Sequence, residues 1–74
     1  MDIRLKELDK RIDEFKKSGE EIKKLVLGYR TYSALLDEAQ FADRITRDKK
    51  DPMIRYYNGI KIKMVKEKHY FKIE

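Results

Sequence analysis

A chain of 74 residues with no cysteine, one histidine and 45% charged residues has room for one small domain, whose core must hold without disulfides. These counts exclude Cys-based zinc sites and multi-histidine metal sites, and no run of about 18 apolar residues offers a membrane span. The formal net charge of +5 is uneven: residues 1–43 carry 9 Lys/Arg against 10 Asp/Glu, and residues 44–74 carry 10 against 4.

The basic surplus therefore lies in the C-terminal half. It leaves an acidic partner open, either nucleic acid or the acidic face of a protein. Solubility and protection of strand edges by lysine explain it equally. The opening MDIRLKELDK alternates charge and lacks the apolar region of a signal peptide. The expectation is a soluble, cytoplasmic chain with no membrane association.

Residues 2–17 predict a helix. Leu5, Leu8, Ile12 and Phe15 recur at spacings of 3, 4 and 3, a narrow stripe of the kind that forms a coiled-coil seam. The same register puts Met1 and Ile22 at one seam position and Gly19 and Val26 at the other. Glu7 and Arg11 form a favourable i,i+4 pair. The stripe either docks on a partner or a second copy, or packs on the chain's own sheet. After it, Gly19 ends the helix as a left-handed residue, or Ser18 and Glu21 start a new one as a capping box. Leu25-Val26-Leu27, closed by Gly28, reads as a short buried strand.

Residues 29–45 predict a second helix, capped by Thr31 or Ser33, with Tyr32, Leu35, Leu36 and Ala39 on its apolar side and Phe41 and Ile45 extending it. Residues 46–52 read as a polar loop, and Pro52 opens the sheet by holding Asp51 extended. The strongest local signal follows. Asn58-Gly59, flanked by apolar and aromatic residues, marks a type I′ hairpin, because both central residues of that turn need positive φ. Register arithmetic pairs Tyr57 with Ile60, Tyr56 with Lys61 and Arg55 with Ile62. One face then carries Tyr57, Ile60, Ile62 and Met64, with Arg55 as a misfit. A second turn near Glu67-Lys68 adds Phe71 and Ile73 to that face. The other face collects Ile54, Tyr56, Lys61, Lys63, Val65, Tyr70 and Lys72, with Lys63 opposite Lys72. The expected fold is α+β: an amphipathic helix over residues 1–18 for self-association or docking, then a domain over 19–74 in which a helix covers a small antiparallel sheet of three or four strands.

The chemistry expected is not catalytic. The three glycines are isolated, so there is no phosphate-binding glycine loop. Asp37 and Glu38 diverge by about 100° around a helix, and Asp48 and Asp51 lack the regular oxygen spacing of a calcium loop. His69, between Lys68 and Tyr70, reads as a surface or sheet residue. No cofactor, metal or catalytic residue is expected. Two binding surfaces remain. Leu5, Leu8, Ile12 and Phe15 would meet a protein partner or a second copy. Tyr56, Lys61, Lys63 and Lys72 would meet nucleic acid, cations on phosphate and a ring for stacking.

From Leu25 onward the layout is LVLG, Tyr29 and Tyr32 leading a helix, a polar loop, then RYYNGIKI and HYFKI. This resembles small phage-encoded proteins in which a strand and helix precede a Tyr-x-Gly-Ile-x-Ile hairpin. The likeness spans residues 25–73 and rests on turn chemistry and strand alternation. It implies a virion-associated or host-interacting accessory protein without catalysis, inside the host cell, and it brings no site residues with it. The function expected is a non-enzymatic protein-interaction module that self-associates or binds, even inhibits, a host protein. The alternative is a small basic nucleic-acid-binding protein using the hairpin face.

Overall fold

The computed structural model describes residues 3–74. In chain order the elements are α1 (Leu5–Lys17), β1 (Lys24–Gly28), α2 (Tyr29–Leu36), α3 (Ala39–Asp43), β2 (Ile45–Arg47), β3 (Arg55–Tyr57), β4 (Ile60–Val65) and β5 (Phe71–Ile73). The fold is α+β, as expected. Its sheet has five strands in the order β2-β3-β4-β1-β5 and is mixed. β1 runs parallel to β4, while β1–β5, β2–β3 and β3–β4 are antiparallel.

The hairpin is built as its turn chemistry demands. Asn58 and Gly59 sit at φ 48° and 81°, and Tyr57↔Ile60, Tyr56↔Lys61 and Arg55↔Ile62 are in register. The return strand behaves differently. After β4 the chain does not double back on it; β5 crosses to the far side of β1, with Leu25↔Ile73 and Leu27↔Phe71. Lys63 and Lys72 are therefore not opposite one another, because Val26 lies between them, in register with both. Interposing an apolar β-branched residue removes the like-charge pair that direct pairing would create.

The single helix expected over 29–45 is two short helices and a strand. Glu38 is extended at φ −91°, ψ 117° and breaks it. Phe41 explains why. In an unbroken helix it would lie about 180° around the axis from Tyr32. With the break, its ring meets Tyr32 edge-on at 6.0 Å and stacks on Tyr57 at 4.9 Å. Ile45–Arg47, expected as helix end and loop, then pairs with β3 as an edge strand.

α1 is joined to the rest of the chain. Leu5, Leu8 and Ile12 belong to one core cluster with Leu25, Leu27, Tyr32, Leu35, Phe41, Tyr57 and Ile62. Its first amide, with no intrahelical partner, donates from Leu5 N to Glu38 Oε2 at 2.8 Å, so the residue that breaks the second helix also caps the first. The helix ends at Lys17, with Gly19 left-handed at φ 85° and donating to Lys16 O, the first of the two sequence alternatives. The expected helix start at Asp2 and the seam position of Met1 lie outside the described residues.

Gly28 is fixed by close approach. A Cβ there would meet Glu67 O at 2.6 Å, Lys68 O at 2.7 Å and Tyr70 N at 2.8 Å. Those neighbours cap α2: Tyr29 N–H donates to Glu67 O, and Arg30 and Thr31 N–H donate to Lys68 O. Backbone carbonyls thus do the work expected of a Thr31 or Ser33 side chain. Thr31 is buried instead, and its Oγ1 accepts from Tyr70 N–H at 3.1 Å.

Candidate nucleic-acid interface

Side chains alternate along each strand, so the register sorts the sheet into two faces. Leu25, Leu27, Tyr57, Ile62, Phe71 and Ile73 share one face, and the three helices pack on it. Lys24, Val26, Tyr56, Lys61, Lys63 and Lys72 share the other. None of these six belongs to the core cluster that the helices join. This second face is open.

Its centre is Val26, only 5% exposed although no helix covers it. Its cross-strand neighbours are Lys63 and Lys72, whose aliphatic stems cover apolar surface while their ammonium groups stay in water. Lys61 and Lys24 form the adjacent row. Along β4, Lys61 and Lys63 are about 7 Å apart, and Lys63 and Lys72 are separated by two strand spacings, about 10 Å. The face is a small platform of spaced cations.

Compensation on this platform is partial. Glu74 bridges Lys24 at 3.4 Å and Lys72 at 3.8 Å. Among the described residues, Lys61 and Lys63 have no carboxylate within ion-pair distance. At the margin, Tyr56 lies in register with Lys61, and its hydroxyl donates to Asp48 Oδ1 at 3.2 Å. Asp48 is held below the usual carboxylate range, first by the backbone N–H groups of Asp51 and Lys50, then by Tyr56 and by the charge of Lys61. The Tyr56 phenol is raised, by desolvation and by that same carboxylate. Tyr56 is thus anchored at one end, with its ring beside a lysine.

Tyr56, Lys61, Lys63 and Lys72, expected together from the hairpin pattern, are together. Tyr70 stands apart from them: it precedes β5 and lines a groove with Ile3, Glu7 and Arg11 of the α1 side. Lys24, Val26 and Glu74 escaped the sequence reading. Strand alternation in KLVLG would have identified Lys24 and Val26, but only if β1 were known to sit between β4 and β5.

The other expected surface fares differently. Leu5, Leu8 and Ile12 are 6%, 0% and 7% exposed, so they face the chain's own sheet and present nothing to a partner. The stripe is narrow because α1 covers only part of that sheet. Phe15 alone stays half-exposed, in a groove with Phe71 and Ile73.

A polar cluster built on the buried Tyr57 joins α1 to the sheet. Tyr57 OH donates to Asp9 Oδ1 at 2.5 Å, while Arg44 Nη1 donates to Asp9 Oδ2 at 2.9 Å and to Tyr57 OH at 2.7 Å. Burial, with the Asp9 carboxylate, pushes the Tyr57 phenol up to about 12 against the lowering effect of Arg44. These groups satisfy one another, and the triad acts as a clamp between α1, the end of α3 and β3. Arg55, the misfit on the apolar face, places its guanidinium 5.6 Å from the Tyr32 ring centroid, a cation–π contact that accommodates it at the margin.

Compared with known proteins, the chain matches no family model, no curated protein and no solved structure. Function must therefore be argued from geometry. Among the described residues there is no group of His, Asp and Glu arranged to hold a metal ion, and no helix is long and apolar enough to cross a membrane.

Proposed function

We propose that this protein binds single-stranded nucleic acid, without catalysis, on the open face of its sheet. The observation that carries the reading is the uncovered platform of Lys24, Lys61, Lys63 and Lys72, in which Lys61 and Lys63 have no carboxylate within ion-pair distance among the described residues. Spaced ammonium groups neutralise phosphates, and an aromatic ring beside them accepts a stacked base. Tyr56 supplies that ring. A sheet face suits an unpaired strand, whereas reading a duplex major groove calls for a helix or a two-stranded ribbon that enters it. Hydrogen bonds here would go chiefly to phosphate, so the expected recognition is weakly sequence-dependent.

The test is a titration of a mixed-sequence single-stranded oligonucleotide into the wild-type chain and into Lys61→Glu/Lys63→Glu. Wild-type binding that the double variant loses, with its circular dichroism unchanged, supports the reading. Equal binding by both proteins sinks it. The same titration with a mixed-sequence duplex and with polyglutamate separates a single-strand binder from one that takes any polyanion. Polyglutamate binding as tight as the oligonucleotide would assign the face to an acidic protein instead.

A further inference from the structure

We propose that the outer edge of β5 takes up an extended peptide segment as a sixth strand, and that the segment alternates apolar and acidic residues. This is a protein-binding site at the sheet's edge; it shares Lys72 with the nucleic-acid platform and otherwise rests on the β5 backbone and the groove beside it.

The backbone gives the first reason. Lys24 N–H donates to Glu74 O at 3.0 Å and Glu74 N–H to Lys24 O at 2.9 Å, so these two residues form a hydrogen-bonded pair. In an antiparallel ladder such pairs alternate, which makes Val26↔Lys72 the next one. The N–H and C=O groups of Phe71 and Ile73 then point away from β1. β5 is the outermost strand on this side of the sheet, and no turn or loop bond among the described residues reaches these groups. An added strand would satisfy all four.

The groove beneath that edge gives the second. Between the last turns of α1 and β5 lies a cavity of about 520 Å³ lined by Arg11, Glu14, Phe15, Phe71, Lys72 and Ile73. Phe15, Phe71 and Ile73 are each half-buried, so the groove is apolar at its base and open at its side. Alternate residues of an added strand would drop apolar side chains onto these three, and the intervening residues would stand beside Lys72 on the open face.

Charge selects the occupant. Lys72 is 58% exposed, and its carboxylate, Glu74, is 3.8 Å away and shared with Lys24. An acidic residue on the incoming segment completes that pairing. A second copy pairing symmetrically about Lys72 would set two lysines directly opposite one another, which is destabilising, whereas pairing about Ile73 would set Lys72 opposite the second copy's Glu74. The exposed Lys72 beside an apolar groove matches an apolar–acidic segment of another chain, and a second copy is the outcome that the peptide titration must separate from it.

The probe is a short capped peptide alternating valine and glutamate, titrated into the isotopically labelled full chain and followed by amide NMR. The expected result is saturable binding that shifts and protects the Phe71 and Ile73 amides. Affinity should fall at least about tenfold when the peptide's edge-facing amides are N-methylated, because main-chain bonds carry strand addition. A comparable fall is expected when glutamate is replaced by lysine, and with Phe15→Asp. Equal affinity for the N-methylated or lysine peptide overturns the proposal, as does absence of binding by the glutamate peptide. Concentration-dependent shifts of the same amides without peptide also overturn it, by naming a second copy as the occupant. The N-methyl comparison leaves the protein unaltered, so it stands even if Phe15→Asp fails to fold. None of these outcomes bears on oligonucleotide binding, which is read at Lys61 and Lys63.

Discussion

The two faces of this sheet come from the same strands and differ in what lies on them. On the covered face Leu25, Leu27, Tyr57 and Ile62 are closed over by all three helices. On the open face the intervening residues are mainly lysines, with Tyr56, Val26 and Val65 among them. The difference teaches how a very small chain divides its labour. With its apolar side chains concentrated on one side, the other side is shaped by charge, and a change there is expected to leave folding nearly alone.

The sharpest way to break this comparison is at the core. Phe41→Ala removes the ring between Tyr32 and Tyr57 and is expected to cost about 3–5 kcal/mol, a large part of the stability of so small a domain. Denaturant unfolding would measure it, and a cost below about 1 kcal/mol would mean the stack is not central. Gly28→Ala comes next. With backbone atoms inside 3.0 Å of the new methyl, overpacking predicts a loss of about 1–3 kcal/mol, seen as a lower thermal midpoint. Tyr57→Phe is smaller, about 1–2 kcal/mol for the two lost hydrogen bonds, because Asp9 and Arg44 retain each other.

The Tyr57 clamp also predicts a pH response. Its phenol is raised in the fold, so its contribution is fully present below the ordinary tyrosine pKa of about 10 and is lost as pH climbs from there through about 12. Ultraviolet titration should show one tyrosine ionising late in the wild type and none so late in Tyr57→Phe. At the small end, Lys61→Glu/Lys63→Glu should change stability by less than about 0.5 kcal/mol, although it removes oligonucleotide binding. A double variant that unfolds would erase the distinction between the two faces.

Much of this was legible in the sequence where local chemistry decides. Asn58-Gly59 set the turn, the turn set the register of Tyr56 and Lys61, and strand alternation then placed Lys63 beside them. The expected route for Lys72 to that side, a second hairpin turn onto β4, is replaced in the structure by pairing to β1. What was not legible depended on distant contacts. The break at Glu38 exists because Phe41 must reach Tyr57 and because the Glu38 carboxylate caps α1, neither of which the local helix pattern contains. The insertion of β1 between β4 and β5 depends on a crossover, so Lys24 and Val26 could not be assigned to the platform. The α1 stripe was ambiguous for the same reason. A narrow apolar seam looks alike whether it meets a partner or the chain's own sheet, and here Leu5, Leu8 and Ile12 meet the sheet.

The most direct test of the open face as the functional surface is the salt dependence of wild-type affinity for a mixed-sequence single-stranded oligonucleotide. Three to four lysines neutralising phosphates predict that log K falls against log salt with a slope of roughly −2 to −3. A slope in that range, reduced by roughly 1 to 2 in Lys61→Glu/Lys63→Glu wherever residual binding is measurable, is the result this account predicts. Absence of binding at low salt, or binding indifferent to salt, would contradict it.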